Sequence, residues 1–139
     1  MIIAINPGHH IQLDPGAVGP TGLHEADVAM SVARTVEAIL AVADHKVEFI
    51  WANELETIVD AANTAGADIF VSIHCNGHDD PEAHGTETWC YLDSSRGYDL
   101  AQAIQTELID ATKLVNRGVK LSTGLYVLKH TNMPAALVE

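Results

Sequence analysis

The sequence predicts an α/β fold: a single-domain, mostly parallel (mixed) twisted sheet flanked by helices, with its site at the carboxyl ends of the strands. Three observations predict it. Short apolar runs of strand length alternate with longer stretches whose apolar residues recur every three or four positions. The 139 residues make one ordinary domain, long enough to bury a core without disulfides, and carry no repeat, low-complexity segment or linker. Histidines follow directly on the apolar runs, where open α/β sheets gather ligands.

Taken in order, Ile2 to Ile5 reads as the first strand. It runs into Asn6, Pro7 and Gly8, and Pro15, Gly16, Gly19 and Pro20 break the stretch to Gly22 into a loop. A helix begins at Glu25, with Val28, Val32, Val36 and Ile39 or Leu40 as the expected core stripe. Val47 to Ile50 is a short strand. Asn53 is the expected cap of a second helix, with Leu55, Ile58, Val59 and Ala62 inward and Gly66 at its end. Ile69 to Ile73 is the strongest strand signal in the chain, bounded by Asp68 and by His74, Cys75, Asn76 and Gly77. Thr86 to Leu92 reads as a more amphipathic strand. A third helix spans about Ser95 to Lys113, with Leu100, Ile104, Leu108 and Ala111 as its stripe, and gives way to Asn116, Arg117 and Gly118. Two short strands, near Tyr126 and near Leu137, close the chain.

Composition narrows the function classes. Hydrophobic residues make up 47% of the chain and charged residues 19%, as in a globular domain. No apolar run approaches the roughly 20 residues that span a bilayer, and the first motif starts too near Met1 to leave room for a signal peptide. With 19 acidic against 7 basic residues and a formal charge of -12, nucleic acid is excluded as a partner, since phosphate binding needs clustered Lys and Arg. Cys75 and Cys90 fit no CxxC spacing, and a single bridge between them would not be a disulfide framework. The unusual count is histidine, at 8.

His9 lies just past the first strand, His74 just past the strongest one, and Glu25 opens a helix. Two imidazoles and a carboxylate form the three-ligand set of catalytic zinc, which leaves a fourth position for water. By spacing alone this trio is one choice among several pairings of His and acids, because nothing in it has the local geometry of an HExxH helix. Each residue also has an ordinary structural reading. A histidine at a strand end can be satisfied by backbone, and Glu25 suits any helix N-terminus.

Eight blocks, in order, resemble the type 3 N-acetylmuramoyl-L-alanine amidases: Asn6-Pro7-Gly8-His9, Asp14-Pro15-Gly16-Ala17, Gly22 with Glu25, Ala62-Asn63, Ala67 to Asn76, Gly85-Thr86-Glu87-Thr88, Asn116 to Lys120, and Pro134 to Glu139. The resemblance implies a zinc hydrolase of the endolysin or autolysin kind that acts as a monomer on bacterial peptidoglycan at the cell wall. It implies zinc ligands at His9, Glu25 and His74 and a catalytic carboxylate at Glu139. The implied reaction cuts the amide between the lactyl group of N-acetylmuramic acid and L-alanine, with Glu139 moving the proton.

The chain departs from the family pattern in three places. Trp51-Ala52 stands where the family has Thr-Arg, Ile58 stands where it has Arg, and the family's Gly-Phe segment and final helix lie beyond Glu139. The expected domain is therefore residues 1–139, the catalytic unit without that helix. Two other functions fit the residues: a metal-retaining peptidoglycan-binding or regulatory module with weak turnover, and a zinc hydrolase of small N-acyl amides. His10 and His24 neighbour the proposed ligands, His78 and His84 flank the acidic loop residues Asp79, Asp80 and Glu82, and Cys75 follows His74. All five are expected to be structural or solvent-facing.

Overall fold

The computed structural model describes residues 1–80 and 82–139. Its elements are β1 (Ile2–Pro7), α1 (Glu25–Val42), β2 (Lys46–Phe49), α2 (Leu55–Thr64), β3 (Ile69–Ile73), β4 (Thr86–Tyr91), α3 (Ser95–Thr112), β5 (Asn116–Ser122), α4 (Tyr126–His130) and β6 (Ala135–Val138). The strands form one sheet in the order β2-β1-β3-β6-β4-β5. All neighbours are parallel except β4 and β6. The expected single-domain, mostly parallel sheet flanked by helices is thus the observed fold.

Both faces of the sheet are covered, so its inner strands are apolar on both sides rather than alternating. Ile3 and Ile5 of β1 pack with Ala29 and Ala33 of α1, while Ala4 between them packs with Phe70, Ile58 and Ala62 on the opposite face. β6 divides in the same way. Ala135 and Leu137 meet Val127 and Leu128 of α4, and Ala136 meets Ala101 of α3.

The helix stripes hold in part: Val36 and Leu40 of α1 and Leu100 and Ile104 of α3 pack against the core as expected, but the fully buried positions are others. In α1 the buried residues are Glu25, Ala26, Ala29 and Ala33, whereas Val32 and Ile39 are exposed. Small alanines let the helix approach the sheet closely, and this close contact outweighs the larger valines that a hydrophobicity count favours. Likewise α3 buries Gly97, Ala101 and Gln105, and Ala111 is exposed. Gln105 is a buried polar residue with its bonds filled: its amide donates to Thr86 O and Asn116 Oδ1 and accepts from Thr88 Oγ1. At α2 the capping position is Glu54, not Asn53, whose side-chain amide donates to Glu54 Oε1 instead. Leu55 is exposed, while Ile58, Val59 and Ala62 are buried as expected.

Two elements near the C-terminus overturn the expectation. Asn116–Ser122 is the edge strand β5, not an interruption; Gly118 sits at φ +80 close to a register shift against β4, so the Asn-Arg-Gly signal marks an irregularity inside a strand. Tyr126–His130 is a helix, not a strand. Its adjacent residues Val127 and Leu128 are both buried, which suits a helix packed on the sheet. Ser122 Oγ accepts from the N–H groups of Gly124 and Leu125 and turns the chain into it.

Phe70, fully buried at the centre of β3, joins the helices of one face to the sheet. Truncation by Phe70→Ala is expected to lower unfolding free energy by about 3–5 kcal/mol, measured by urea denaturation at constant m-value.

Candidate metal centre

β1 and β3 lie side by side and parallel, with Pro7 opposite Ile73, so both chains leave the sheet at the same edge. His9 and His74 therefore arrive together, and the Gly8 N–H donates to Ile73 O (2.7 Å) to tie the two exits. The loop 8–24 then folds back over this edge. Its close is fixed where Glu25 N–H donates to Ala17 O (2.8 Å) and Ala26 N–H to Pro15 O (3.2 Å), which sets Glu25 at the mouth of α1 facing the two rings.

The Glu25 side chain is only 6% exposed. Its Oε1 accepts from the Cys75 N–H (2.9 Å) and lies 3.0 Å from His74 Nδ1; its Oε2 accepts from the Ala17 N–H (3.0 Å) and lies 3.3 Å from His9 Nε2. The two imidazoles meet edge to face at 5.1 Å. One ligand atom from each of His9, Glu25 and His74 falls within 4.8 Å of the others.

A small divalent ion held tetrahedrally at about 2.0–2.1 Å keeps its ligand atoms about 3.3 Å apart. The His9 Nε2–Glu25 Oε2 separation of 3.3 Å matches that spacing, and the His74 Nδ1–Glu25 Oε1 separation of 3.0 Å is slightly shorter. A carboxylate buried between two imidazoles also calls for positive charge, so chemistry and geometry both fit a metal.

Two glycines and one strained histidine make the convergence possible. A Cβ on Gly8 would run into the His74 ring, and a Cβ on Gly16 would sit 2.6 Å from Glu25 Oε2 and 2.7 Å from His9 Cδ2. His9 itself has φ +63, a left-handed conformation that costs a non-glycine residue about 1–2 kcal/mol. Asp14 compensates in part: its Oδ2 accepts from His9 Nδ1 at 2.9 Å, which turns Nε2 toward Glu25. That bond to His9, with the Gly16 N–H on the other oxygen, holds the Asp14 carboxyl below the usual carboxylate range.

Glu139 follows β6, which runs parallel beside β3 and takes the His74 N–H on Val138 O (2.9 Å). Its backbone pairs with Glu87 in both directions, at 2.8 and 2.9 Å. With His74, its side chain lines a cavity of about 570 Å³. Glu139 Oε2 is buried with no protein partner. Burial pushes this carboxyl up to about 7; His74 and His9 pull it down, while Glu25 and Glu87 push it further up.

Sequence reasoning assigned no role to Asp14, Glu87, Asn76 or Arg117, which also stand at this rim. Glu87 is buried because β4 runs antiparallel to β6 and so brings its first residues to the edge where the other strands end. Its Oε1 accepts from Asn76 Nδ2 and Trp89 Nε1, both at 3.1 Å, and its Oε2 from Arg117 Nε at 2.9 Å. No local signal marked it, since Glu87 lies between Thr86 and Thr88 in an amphipathic strand. Other histidines stand outside the ligand trio: His10 stacks on Trp51 at 4.4 Å, His24 occupies the N-cap position of α1 without a side-chain capping bond, and His78, whose Nδ1 accepts from the Asp80 N–H, lines the same cavity as His74 together with His84. Cys75 and Cys90 are free thiols, both pushed up by burial.

Comparison with known proteins places the chain in a family. A family model described as N-acetylmuramoyl-L-alanine amidase matches residues 3–139. The chain is 35% identical over 143 residues to N-acetylmuramoyl-L-alanine amidase LytC of Bacillus subtilis, covering 99% of this chain and 28% of that protein. It is 33% identical to the sporulation-specific N-acetylmuramoyl-L-alanine amidase of the same organism, covering 99% of this chain and 54% of that one. The chain thus spans about half, or less, of these relatives. Among solved structures, amidase AmiC2 of Nostoc punctiforme superimposes with a TM-score of 0.91 at 32% identity, covering 100% of this chain and 78% of that one.

Two outcomes follow from the packing around Glu25. Gly16→Ala is expected to abolish stoichiometric metal binding, because the added Cβ occupies the space of the carboxylate and the His9 ring; calorimetric titration with Zn2+ reads this. In metal-free protein, burial pushes the Glu25 carboxyl up, but the His74 bond and the N–H groups of Ala17 and Cys75 outweigh it and hold it at about 2, below its ordinary 4.5. A depressed carboxyl stabilises the fold above the unfolded value, and that contribution disappears as pH falls from 4.5 through about 2. The stability gap between wild type and Glu25→Gln is expected to close across that window in acid-titrated denaturation curves.

Proposed function

The chain belongs to the N-acetylmuramoyl-L-alanine amidase family, and from that premise we propose that it is a zinc-dependent amidase cutting the bond between N-acetylmuramic acid and L-alanine in peptidoglycan. The observation that carries the proposal is the buried Glu25 carboxylate set between His9 and His74 on one rim of the sheet, with Glu139 in the adjoining cavity. His9 Nε2, a Glu25 oxygen and His74 Nδ1 are the proposed ligand atoms. When bound there, zinc supplies Lewis acidity toward the amide carbonyl and a water that is nucleophilic near neutral pH.

The protein's own groups do the rest. Asp14 holds His9 in the tautomer that presents Nε2, and the N–H groups of Ala17 and Cys75 hold the Glu25 carboxylate in one rotamer. The ligands are therefore ordered in advance. Glu139 accepts a proton from the attacking water as the C–O bond forms, then passes it to the alanine nitrogen as the C–N bond breaks, so the amine leaves neutral. A carboxyl near 7 suits both halves of this transfer, because it takes and releases a proton at similar cost. The substrate places the work at the cell wall, outside the cytoplasmic membrane, and we take the working unit to be a monomer. Among the described residues, no helix is long and apolar enough to cross a membrane.

Metal analysis and digestion of purified cell wall test the reading together. Wild type is expected to carry one equivalent of zinc and to release stem peptide. His74→Ala should lose both, and Glu139→Gln should keep the metal while turnover drops about 10²–10⁴-fold. A metal-free protein that digests wall at the wild-type rate would sink the proposal, and wall binding without release of stem peptide would favour a binding module instead. The Glu139 carboxyl is expected to titrate near 7 in metal-free protein and to shift downward once zinc is added, by carboxyl carbon NMR.

A further inference from the structure

The cavity that holds Glu139 and His74 contains one strong cation. Among the described residues, Arg117 is the only Lys or Arg lining it, in a chain with 7 such residues against 19 acids. Its guanidinium is gripped from one side. Nε donates to Glu87 Oε2 at 2.9 Å, and no hydrogen bond from its terminal nitrogens to a described residue is present. Glu87 cannot turn to follow it, because its other oxygen is taken by Asn76 and Trp89.

The stem of Arg117 is fixed as well. It crosses Gly85, where a Cβ would lie 3.2 Å from Arg117 Cδ and closer still to Val115 O. Arg117 remains 37% exposed while its anchor Glu87 is 5% exposed. An arginine held by Nε and open at its two terminal nitrogens presents the planar fork that receives a carboxylate in two parallel hydrogen bonds.

We propose that Arg117 is a recognition residue for a carboxylate on the peptide half of the substrate, which makes this cavity the subsite of the leaving stem peptide. The inference rests on the amidase reading: Glu139 hands its proton to the departing amine, so the peptide carrying that amine lies on the Glu139 side, in the cavity that Arg117 lines. The feature of the peptide that it selects is a free carboxylate. Asn76, bonded to the same Glu87 oxygen as Trp89, lines the same wall.

Calorimetric titration of the zinc-loaded protein with L-alanyl-D-glutamate and with its diamide tests this without requiring turnover. The acidic dipeptide is expected to bind at least about tenfold more tightly than the diamide, as a charge-assisted bidentate pair requires. The preference should vanish in Arg117→Gln and weaken in Arg117→Lys, which keeps the charge but not the fork. Because Arg117→Gln alone leaves a buried carboxylate unpaired, the double variant Glu87→Gln with Arg117→Gln provides a folded control, checked by its melting temperature, and should lose the preference too. Equal binding of the two peptides by wild type, or a preference that survives in the Arg117→Gln proteins, overturns the inference. Failure of the amidase reading looks different: the preference stands, and muramyl-peptide is not cut.

Discussion

The Glu25 carboxylate, buried between two imidazoles, is the constraint around which the rim of this protein is arranged. A charge of that kind is tolerated inside a fold only when its lone pairs are filled and an opposite charge stands close. A backbone N–H and a ring nitrogen fill the lone pairs of each oxygen, from four different chain positions, and a bound metal ion would supply the opposite charge. Those positions come from the loop 8–24 and from the two residues that follow β3, while Glu25 itself opens α1. Each must be in register before any of them is stabilised.

That demand explains features otherwise unrelated in sequence. The left-handed backbone at His9 and the missing Cβ atoms at Gly8 and Gly16 spend local stability to aim groups at one point, and the Asp14 bond offsets part of that cost. A metal ion bound by the proposed ligands would return it, since binding to the native state alone adds to folding free energy by mass action. The core beneath is built to resist the strain. Asn6, buried at the end of β1, donates to Ile50 O and accepts from Ser72 Oγ, which locks β1 to β3 one step below the ligands.

How much of this was legible in the sequence depends on the range of the interaction. The strands before His9 and His74 are local apolar runs, and a parallel sheet gathers their ends, so the trio could be put forward from residues and strengthened by the ordered family blocks. Helix phase was less legible. Val32 and Ala33 compete for the same inward position, and only the distance to the sheet chooses alanine. β5 and α4 were misread because an edge strand with a glycine irregularity resembles a loop, and a five-residue helix resembles a strand when tertiary packing alone decides it. Glu87 was out of reach for a related reason: its place at the rim follows from β4 running antiparallel, which no local pattern encodes.

The antiparallel β4 also bears on electrostatics. A formal charge of -12 favours cation capture and opposes the approach of an anionic peptide at long range, with a reach of about 8–10 Å at physiological salt. A local cation can reverse that sign only if it sits within this distance of the reacting groups and is kept from folding back onto surface acids. Glu87 meets the second condition by tying Arg117 through Nε while its own charge is shared with Asn76 and Trp89. Topology brings the cation to the same cavity as His74 and Glu139, because β4 and β5 start at the edge where β1, β3 and β6 end. The reversed pair β4 and β5 therefore delivers, to a rim made by the other strands, the positive charge that the composition of the chain otherwise withholds.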